Sequence, residues 1–354
     1  MQIALDLAKK GMHTAKPNPR VGCIVVSENK IVGQGWHRQT GEAHAEAIAL
    51  SEAGDKAKDS TVYSTLEPCT HFGQTPPCVE ALIAAAVGKV IYAMEDPNPV
   101  VSGQSRKILE SAEIEVISGV LSQESKDLNI GFHKRMKYGL PYIRTKIAAS
   151  IDGKTALLNG KSQWISSKQS RDDVQLWRAR SCALVTSIDT VIADDPSLNV
   201  RINDFSDIDQ PTRVILDSQL RIRGDYKILK SPGDVIVYSL QQVHNDPIFE
   251  GMIENTNERD GHVSLESVFR DLAKKEINEV MFECGGTLNG ALLKQNFIDE
   301  IIIYLAPCIL GDQANNMFSL PAISAMSERY NFNLIQVDRT GDDIRVVLRK
   351  ANLV

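Results

Sequence analysis

The sequence lacks most of what would set it apart from an ordinary folded enzyme. No apolar run approaches the roughly 20 residues of a membrane-spanning helix, and Ile301 to Leu305 is among the longest. Charge of one sign is not in excess. Lysine and arginine number 39 against 45 acidic residues, a net charge of −6, so no nucleic-acid or membrane partner is expected. Cysteine is sparse, with six at 23, 69, 78, 182, 284 and 308, too few for a disulfide scaffold. There is no internal repeat and no low-complexity segment. No Gly-x-Gly-x-x-Gly follows a strand as a Rossmann unit requires. Met1 to Leu7 carries an early acid, Asp6, and no basic region before a long apolar stretch, so it does not read as a signal peptide. A cytoplasmic setting with reduced thiols is expected.

What is present is the balance of a folded soluble protein, 43% apolar and 24% charged. A length of 354 residues points to about two domains. In the first part, strands at Val21 to Val26, Ile31 to Trp36, Val62 to Thr65 and Val90 to Ala93 alternate with helical patterns. Those helices cover Ala43 to Glu52, Cys78 to Ala86, Arg106 to Ala112 and Leu121 to Tyr138. The alternation predicts an α/β layered domain. Gly139-Leu140-Pro141 is a helix stop and sets the boundary between domains 1–141 and 142–354. The second part restarts with a strand at Tyr142 to Ala149 and a helix at Ser167 to Ala179. Strands follow at Ala183 to Ser187, Arg213 to Asp217, Val235 to Ser239, Glu279 to Glu283 and Glu300 to Leu305. Helices are expected at Leu265 to Lys275 and Thr287 to Gln295, and a hairpin at Leu334 to Val337 with Ile344 to Leu348. The polar stretch 241–262 reads as a loop.

Two constellations carry chemistry. His44-Ala45-Glu46 opens a helix, and Glu67-Pro68-Cys69 and Cys78 follow. Zinc takes nitrogen and sulfur ligands in a tetrahedron, and a catalytic site keeps one position for water. His44, Cys69 and Cys78 fill three positions. Glu46, two residues beyond His44, can share the helix start without being a ligand, which suits a proton shuttle. His-x-Glu with Pro-Cys and a second Cys is the pattern of zinc nucleobase deaminases. Here, however, eight residues separate the two cysteines instead of two. Taken singly, a His-x-Glu is usually a surface coincidence and a lone buried cysteine is usually packing. The second constellation is Glu283-Cys284-Gly285-Gly286-Thr287-Leu288. Its glycines allow backbone amides close to a ligand, at a helix start that favours phosphate. Alone, a Gly-Gly before a helix is more often just a tight turn.

The long cysteine spacing marks a resemblance. Pro17-Asn18-Pro19-Arg20-Val21-Gly22, Glu67-Pro68-Cys69-Thr70-His71, Thr75-Pro76-Pro77-Cys78 and Asp96-Pro97-Asn98-Pro99 resemble the bifunctional riboflavin-biosynthesis deaminase/reductase family, RibD/RibG. In the second part Lys146 to Lys154, Ser162-Gln163-Trp164-Ile165, Arg171-Asp172-Asp173 and Ala193 to Leu198 resemble its reductase half. The likeness covers nearly the whole chain. It implies a cytidine-deaminase-like three-layer domain followed by a dihydrofolate-reductase-like α/β domain. It implies Zn2+ and NADPH as cofactors and a phosphoribosylaminopyrimidine as the small-molecule substrate, and a homo-oligomer is expected.

Carried over by position, Ala148, Trp164, Thr190, Asp194, Ser218 and the segment Gly285, Gly286, Thr287, Leu288, Asn289, Gly290, Ala291 are expected cofactor contacts. Asn18, Ser162, Arg178, Leu198, Arg201 and Glu283 are expected substrate contacts. Arg178 and Arg201 suit a bidentate phosphate clamp, and Trp164 suits the nicotinamide ring. Trp164 could equally be core, Arg178 a solvated helix face, and His37 either a pocket residue or a loop histidine. Glu283 and Lys154 are candidate proton partners. The family pattern has a basic residue where this chain has Gln74 and a glycine where it has Ser105, with Arg106, Lys107 or Lys154 as possible replacements for the cation. A second reading keeps the zinc deaminase, acting on another base or nucleotide, and makes the C-terminal half a non-catalytic binding module.

Overall fold

The computed structural model describes residues 1–72, 76–98, 101–202, 208–241 and 251–351. Two compact units form, Met1–Leu140 and Pro141–Val354. Among the described residues no helix is long and apolar enough to cross a membrane.

The first unit is built on β1 (Gly22–Ser27), β2 (Lys30–Trp36), β3 (Thr61–Leu66), β4 (Lys89–Met94) and β5 (Glu115–Ser118). They lie in the order β2-β1-β3-β4-β5. β1 is antiparallel to both neighbours, and β3, β4 and β5 run parallel. The helices are α1 (Gln2–Ala8), α2 (Ala45–Ala53), α3 (Cys78–Ala84), α4 (Gln104–Ser111), α5 (Ser122–Leu128) and α6 (Ile130–Tyr138). Successive side chains on a strand face opposite sides of its sheet, and this parity gives the layering. A Cβ on Gly22 would collide with the Ala4 carbonyl of α1, and one on Gly35, which pairs with Cys23, with the Ala45 carbonyl of α2. Gly22 and Cys23 point to opposite faces, so α1 and α2 cover opposite faces, and the unit has three layers. The larger core packs Ala45, Ala49 and Ala53 of α2 against Cys23, Val25 and Val62.

The helix expected over Leu121 to Tyr138 is two helices. The break falls at Asn129, whose buried side chain clasps the backbone of Arg20. Its Oδ1 accepts from Arg20 N at 2.7 Å, and its Nδ2 donates to Arg20 O at 2.9 Å. The backbone of Asn129 leaves helical geometry there, at φ −111° and ψ 28°.

In the second unit the strands are β6 (Tyr142–Ser150), β7 (Lys154–Ala156), β8 (Ala183–Ser187), β9 (Thr212–Leu216), β10 (Val235–Ser239), β11 (Ile253–Asn255), β12 (Glu258–Arg259), β13 (His262–Val263), β14 (Glu279–Phe282), β15 (Glu300–Ala306), β16 (Asn315–Asn316), β17 (Phe332–Thr340) and β18 (Asp343–Lys350). Nine of them form one sheet in the order β11-β10-β9-β8-β14-β6-β15-β18-β17. From β11 to β15 all neighbours are parallel, and β18 and β17 close one edge as an antiparallel hairpin. The helices are α7 (Lys168–Arg180), α8 (Ile188–Asp194), α9 (Lys227–Lys230), α10 (Leu265–Lys274) and α11 (Gly286–Lys294). Met281 packs into a core with Val174 of α7, while its neighbour Phe282 meets Phe269 of α10 edge to face, ring centroids 6.0 Å apart. Helices therefore cover both faces here too.

Two local differences from the sequence expectation stand out. α8 is a short helix that the pattern does not announce, started by Ser187 Oγ accepting from the Thr190 amide. The stretch expected as a loop over 241–262 contains β11, β12 and most of the β12–β13 hairpin, while 242–250 lie outside the described residues. Toward the amino ends of the central strands, Arg144 is buried and donates to Glu279 and, at 2.6 Å, to Glu300. Arg180 and Arg349 flank the same two carboxylates.

Candidate active sites

In the first unit His44 sits at the N-cap of α2 and Cys78 opens α3, so two helix starts meet the end of β3, from which Cys69 follows. In a tetrahedral zinc site, bonds of about 2.3 Å to sulfur and about 2.1 Å to nitrogen put neighbouring donors about 3.6 Å apart. His44 Nδ1 lies 3.2 Å from Cys78 Sγ and 3.4 Å from Cys69 Sγ, and the three donor atoms all fall within 4.8 Å of one another. This donor set fits zinc with little movement. Hydrogen bonds from Cys78 and from His44 lower the Cys69 thiol below its ordinary range, toward the thiolate form a metal ligand takes. The Cys78 amide at the start of α3 also donates to Cys69 Sγ at 3.3 Å.

Glu46 lies in the first turn of α2 and is buried. Burial, and next the Cys69 thiolate, push its carboxyl above the ordinary range. Oε1 accepts from Ser64 Oγ at 2.9 Å, and Oε2 faces Cys78 Sγ at 3.4 Å. His37 is buried, not a loop histidine in solvent. Its Nδ1 contacts the Ala43 carbonyl at 3.3 Å and its ring meets His44 edge to face at 5.6 Å. A carbonyl only accepts, so Nδ1 carries the proton and Nε2 the lone pair. The atom of Asn18 that faces Nε2 at 3.1 Å is therefore its NH2, which leaves Oδ1 as the acceptor Asn18 can offer a ligand.

Glu67, just before Cys69, is buried and accepts from the amides of Asp96, Gly103 and Ser105 and from Ser105 Oγ at 2.8 Å. The Ser105 hydroxyl thus adds a bond that a glycine would lack. Gln74 lies outside the described residues. Of the proposed replacement cations, Arg106 is turned onto β5, bonding Val116 O and Ser118 Oγ, and Lys154 bonds Asn316 Oδ1 and Asp312 O in the second unit.

The second unit carries a cleft of about 1560 Å3 at the carboxyl ends of β6, β8, β9 and β14. Open parallel sheets bind their ligands at this end. The volume exceeds the roughly 300–1,000 Å3 of an ordinary small-molecule pocket, so a dinucleotide and a second ligand can share it. Ala148, Trp164, Thr190, Asp194, Ser218, Gly285, Gly286, Thr287, Leu288 and Ala291 line it, as do Ser162, Arg178, Leu198, Arg201 and Glu283. Trp164 is not core: it is 70% exposed, with the Arg171 guanidinium 4.4 Å from its ring centroid. Asn289 and Gly290 are not in the lining. Asn289 is buried, accepting from Thr145 Oγ1 at 2.6 Å, and a Cβ on Gly290 would strike the Ser319 carbonyl. Gly286 is likewise pressed on Asn316 O, whereas a Cβ on Gly285 would meet open space. Gly285 is thus the glycine whose absent side chain leaves room at the α11 N-terminus, where an anionic cofactor group is favoured.

Arg178 is buried and is neither a solvated helix face nor a free phosphate clamp. Its Nε and Nη2 grip Glu283 at 2.6 and 3.0 Å, and Nη1 donates to Asn199 O. Arg201 is the more exposed guanidinium, tethered to Asn199 Oδ1 at 2.6 Å. Burial would raise the Glu283 carboxyl, but Arg178 and then Lys146 hold it at about 2. Lys146 is the residue that sequence reasoning passed over in favour of Lys154. It lines the cleft with Nζ 3.9 Å from Glu283 Oε2, and burial lowers its amine, while Lys154 is absent from the lining. The available signal is parity, since Lys146 and Ala148 alternate on β6 and share a face.

The two units that carry these candidate sites were compared with known proteins. Residues 1–94 match the cytidine and deoxycytidylate deaminase zinc-binding region, and residues 141–346 match the RibD C-terminal domain. The chain is 42% identical to the riboflavin biosynthesis protein RibD of Escherichia coli, over 97% of this chain and 96% of that one. It resembles the solved structure of Acinetobacter baumannii RibD with a TM-score of 0.93 and 42% identity, covering 99% and 98% of the two chains. A Thermotoga maritima diaminohydroxyphosphoribosylaminopyrimidine deaminase/5-amino-6-(5-phosphoribosylamino)uracil reductase superposes with a TM-score of 0.88 at 31% identity, covering 99% and 97%. Fold and sites together define a bifunctional enzyme, a zinc-type deaminase followed by a reductase. The chain belongs to the RibD family of riboflavin biosynthesis proteins.

Proposed function

We propose that residues 1–141 hydrolyse the 2-amino group of 2,5-diamino-6-(5-phosphoribosylamino)pyrimidin-4(3H)-one. Residues 142–354 then reduce the ribosyl group of the resulting 5-amino-6-(5-phosphoribosylamino)uracil to ribityl. The convergence of His44, Cys69 and Cys78 beside a buried Glu46 carries the reading. His44, Cys69 and Cys78 hold the ion. Zinc, when bound, acidifies a water to a pKa of about 7. Glu46 takes a proton from the attacking water, passes it to the ring nitrogen, and relays a proton to the leaving amine. A C–O bond forms, the C–N bond breaks, ammonia departs, and Glu46 ends as it began. Asn18 Oδ1 accepts from the pyrimidine, held in place by His37.

NADPH, when bound, would supply the hydride in the second unit. Gly285 and the N-terminus of α11 would hold its phosphates, and Trp164, Thr190, Asp194 and Ser218, which line the same cleft, would hold the rest. The sugar ring must open before C1 can be reduced, and opening needs a proton on the ring oxygen. Glu283, ionised at about 2, has none to give at neutral pH. Lys146 provides it, and Glu283, itself gripped by Arg178, keeps Lys146 in place. Arg201 faces the sugar phosphate, with Ser162 and Leu198 on the same wall.

The chain is further proposed to work as a cytoplasmic homo-oligomer. All six cysteines are free. The edge strand β17 leaves Leu334, Ile335 and Val337 exposed, a face and an edge that a second copy would cover. Sedimentation that returns only monomer would oppose this.

The deciding experiment follows ammonia release and NADPH oxidation on one preparation. Both substrates are expected to turn over. Protein that releases ammonia but never consumes NADPH on the deaminated uracil would refute the reductase half and favour a binding module.

A further inference from the structure

Ser64 lies on β3, fully buried, between its cross-strand partners Cys23 of β1 and Tyr92 of β4. A serine hydroxyl has one proton to donate, and this one goes to Oε1 of Glu46 at 2.9 Å. The other carboxylate oxygen has a different neighbour, Cys78 Sγ at 3.4 Å. The two contacts do not have the same lifetime. Cys78 can donate only as a thiol, and a zinc ligand is a thiolate. Once Cys78 ligates, that contact offers Oε2 nothing, while the Ser64 bond to Oε1 is unaffected. The terminal torsion of a glutamate is soft and nearly two-fold, so a carboxylate held only by its own backbone amide would exchange its two oxygens more freely than one that Ser64 also holds. Glu46 is 3% exposed, too enclosed for bulk water to fix it instead.

We propose that Ser64 is a positioning residue for the deamination: it pins Oε1 of Glu46 against β3 and thereby leaves Oε2, on the side of the ligand cluster, as the atom that carries the proton. The inference rests on the reading of Glu46 as the proton relay. Ser64 touches neither substrate nor ion. It acts by removing a rotational choice from the group that does the chemistry.

Threonine and valine share a shape and differ in the hydroxyl, so S64T and S64V isolate it. S64T is expected to keep kcat for ammonia release within about threefold. S64V should lose about 10- to 100-fold, the range for one hydrogen bond to a charged group, with KM within about twofold. Zinc content and the rate of NADPH oxidation should match wild type in both, since these report folding and metal binding. Infrared spectra, recorded on the zinc-loaded enzyme and after chelation, give a readout independent of turnover. The Glu46 carboxyl band, identified as the one missing from E46Q, should shift in S64V and stay in S64T. Equal kcat values for S64T and S64V, or a loss in S64V that comes with lost zinc or a raised KM, would overturn the proposal. S64A makes the same comparison against wild type should the larger side chains disturb folding. A wild-type enzyme that releases no ammonia would sink the deaminase reading itself, and the infrared comparison would still decide whether Ser64 holds Glu46.

Discussion

Replacing Glu283 by glutamine probes the reductase chemistry through its pH dependence. The side chain keeps its size, but the anion between Arg178 and Lys146 is gone. Lys146 Nζ stands 3.9 Å from Glu283 Oε2. A unit charge pair at that distance is worth about 4 kcal/mol at an effective dielectric of about 20, close to three pH units. The two side chains are 16% and 14% exposed, so water in the cleft trims this, and a shift of about one to three units is expected. The direction follows from the neighbours. Burial lowers the Lys146 amine, Glu283 opposes that, and Arg178 adds to it. Without Glu283 the remaining influences all act downward, and the ammonium form is lost at lower pH. The alkaline limb of kcat/KM for NADPH oxidation on the uracil substrate should therefore move to lower pH in E283Q. The acid limb should stay, because a carboxyl held at about 2 does not titrate in the assay range. Initial rates from about pH 5 to about pH 10 provide the test. An alkaline limb unmoved in an active E283Q enzyme, or an acid limb abolished by the substitution, would refute the assignment of the proton to Lys146.

Other outcomes follow from the same geometry. E46Q should keep its zinc by metal analysis yet lose ammonia release by about 10²- to 10⁴-fold, the usual contribution of a positioned acid–base; turnover near wild type would remove the relay role. G290A should destabilise the second unit by about 1–3 kcal/mol in urea unfolding, because its Cβ meets the Ser319 carbonyl. G285A, with open space at its Cβ, should unfold like wild type but bind NADPH more weakly in a fluorescence titration, and the reverse pattern would contradict the placement of the cofactor. R144M should cost about 3 kcal/mol in unfolding free energy, the low end for breaking a buried ion pair, since Arg180 and Arg349 still face Glu279 and Glu300; an unchanged denaturation midpoint would count against it.

How much of this is legible in the sequence depends on whether a residue acts locally. His44, Glu46 and Cys78 belong to helix starts that follow strands, so their side chains converge by rules that act over a few residues. The alternation of strands and helices is legible for the same reason. The clasp of Asn129 on Arg20 is not, because its partner is the backbone of a residue more than a hundred positions away. Lys154 reads as a better proton partner than Lys146 until the sheet exists, because only the pleat decides which lysine faces the cleft. Gly285, Gly286 and Gly290 look alike in a string, yet two answer to neighbouring carbonyls and one to open space. Arg178 has the right chemistry for phosphate but is held by an acid that is remote in sequence and adjacent in space.

The Asn129 clasp also bears on how far the catalytic part of the first unit can be cut back. Every zinc donor and Glu46 lie within the region matched to other deaminases, which ends at residue 94. The loop that presents Asn18 is closed from outside that region, by two bonds from Asn129 to Arg20 and one from Arg20 Nη1 to Leu128 O. A chain ending at residue 94 would keep the three proposed metal donors in its sequence but lose the fastening of the loop that presents Asn18, and with it the amides of Gly103 and Ser105 that hold Glu67 beside Cys69. Modular boundaries drawn around the metal donors alone would thus divide the unit in the wrong place, through the core and hydrogen bonds that hold those donors in position.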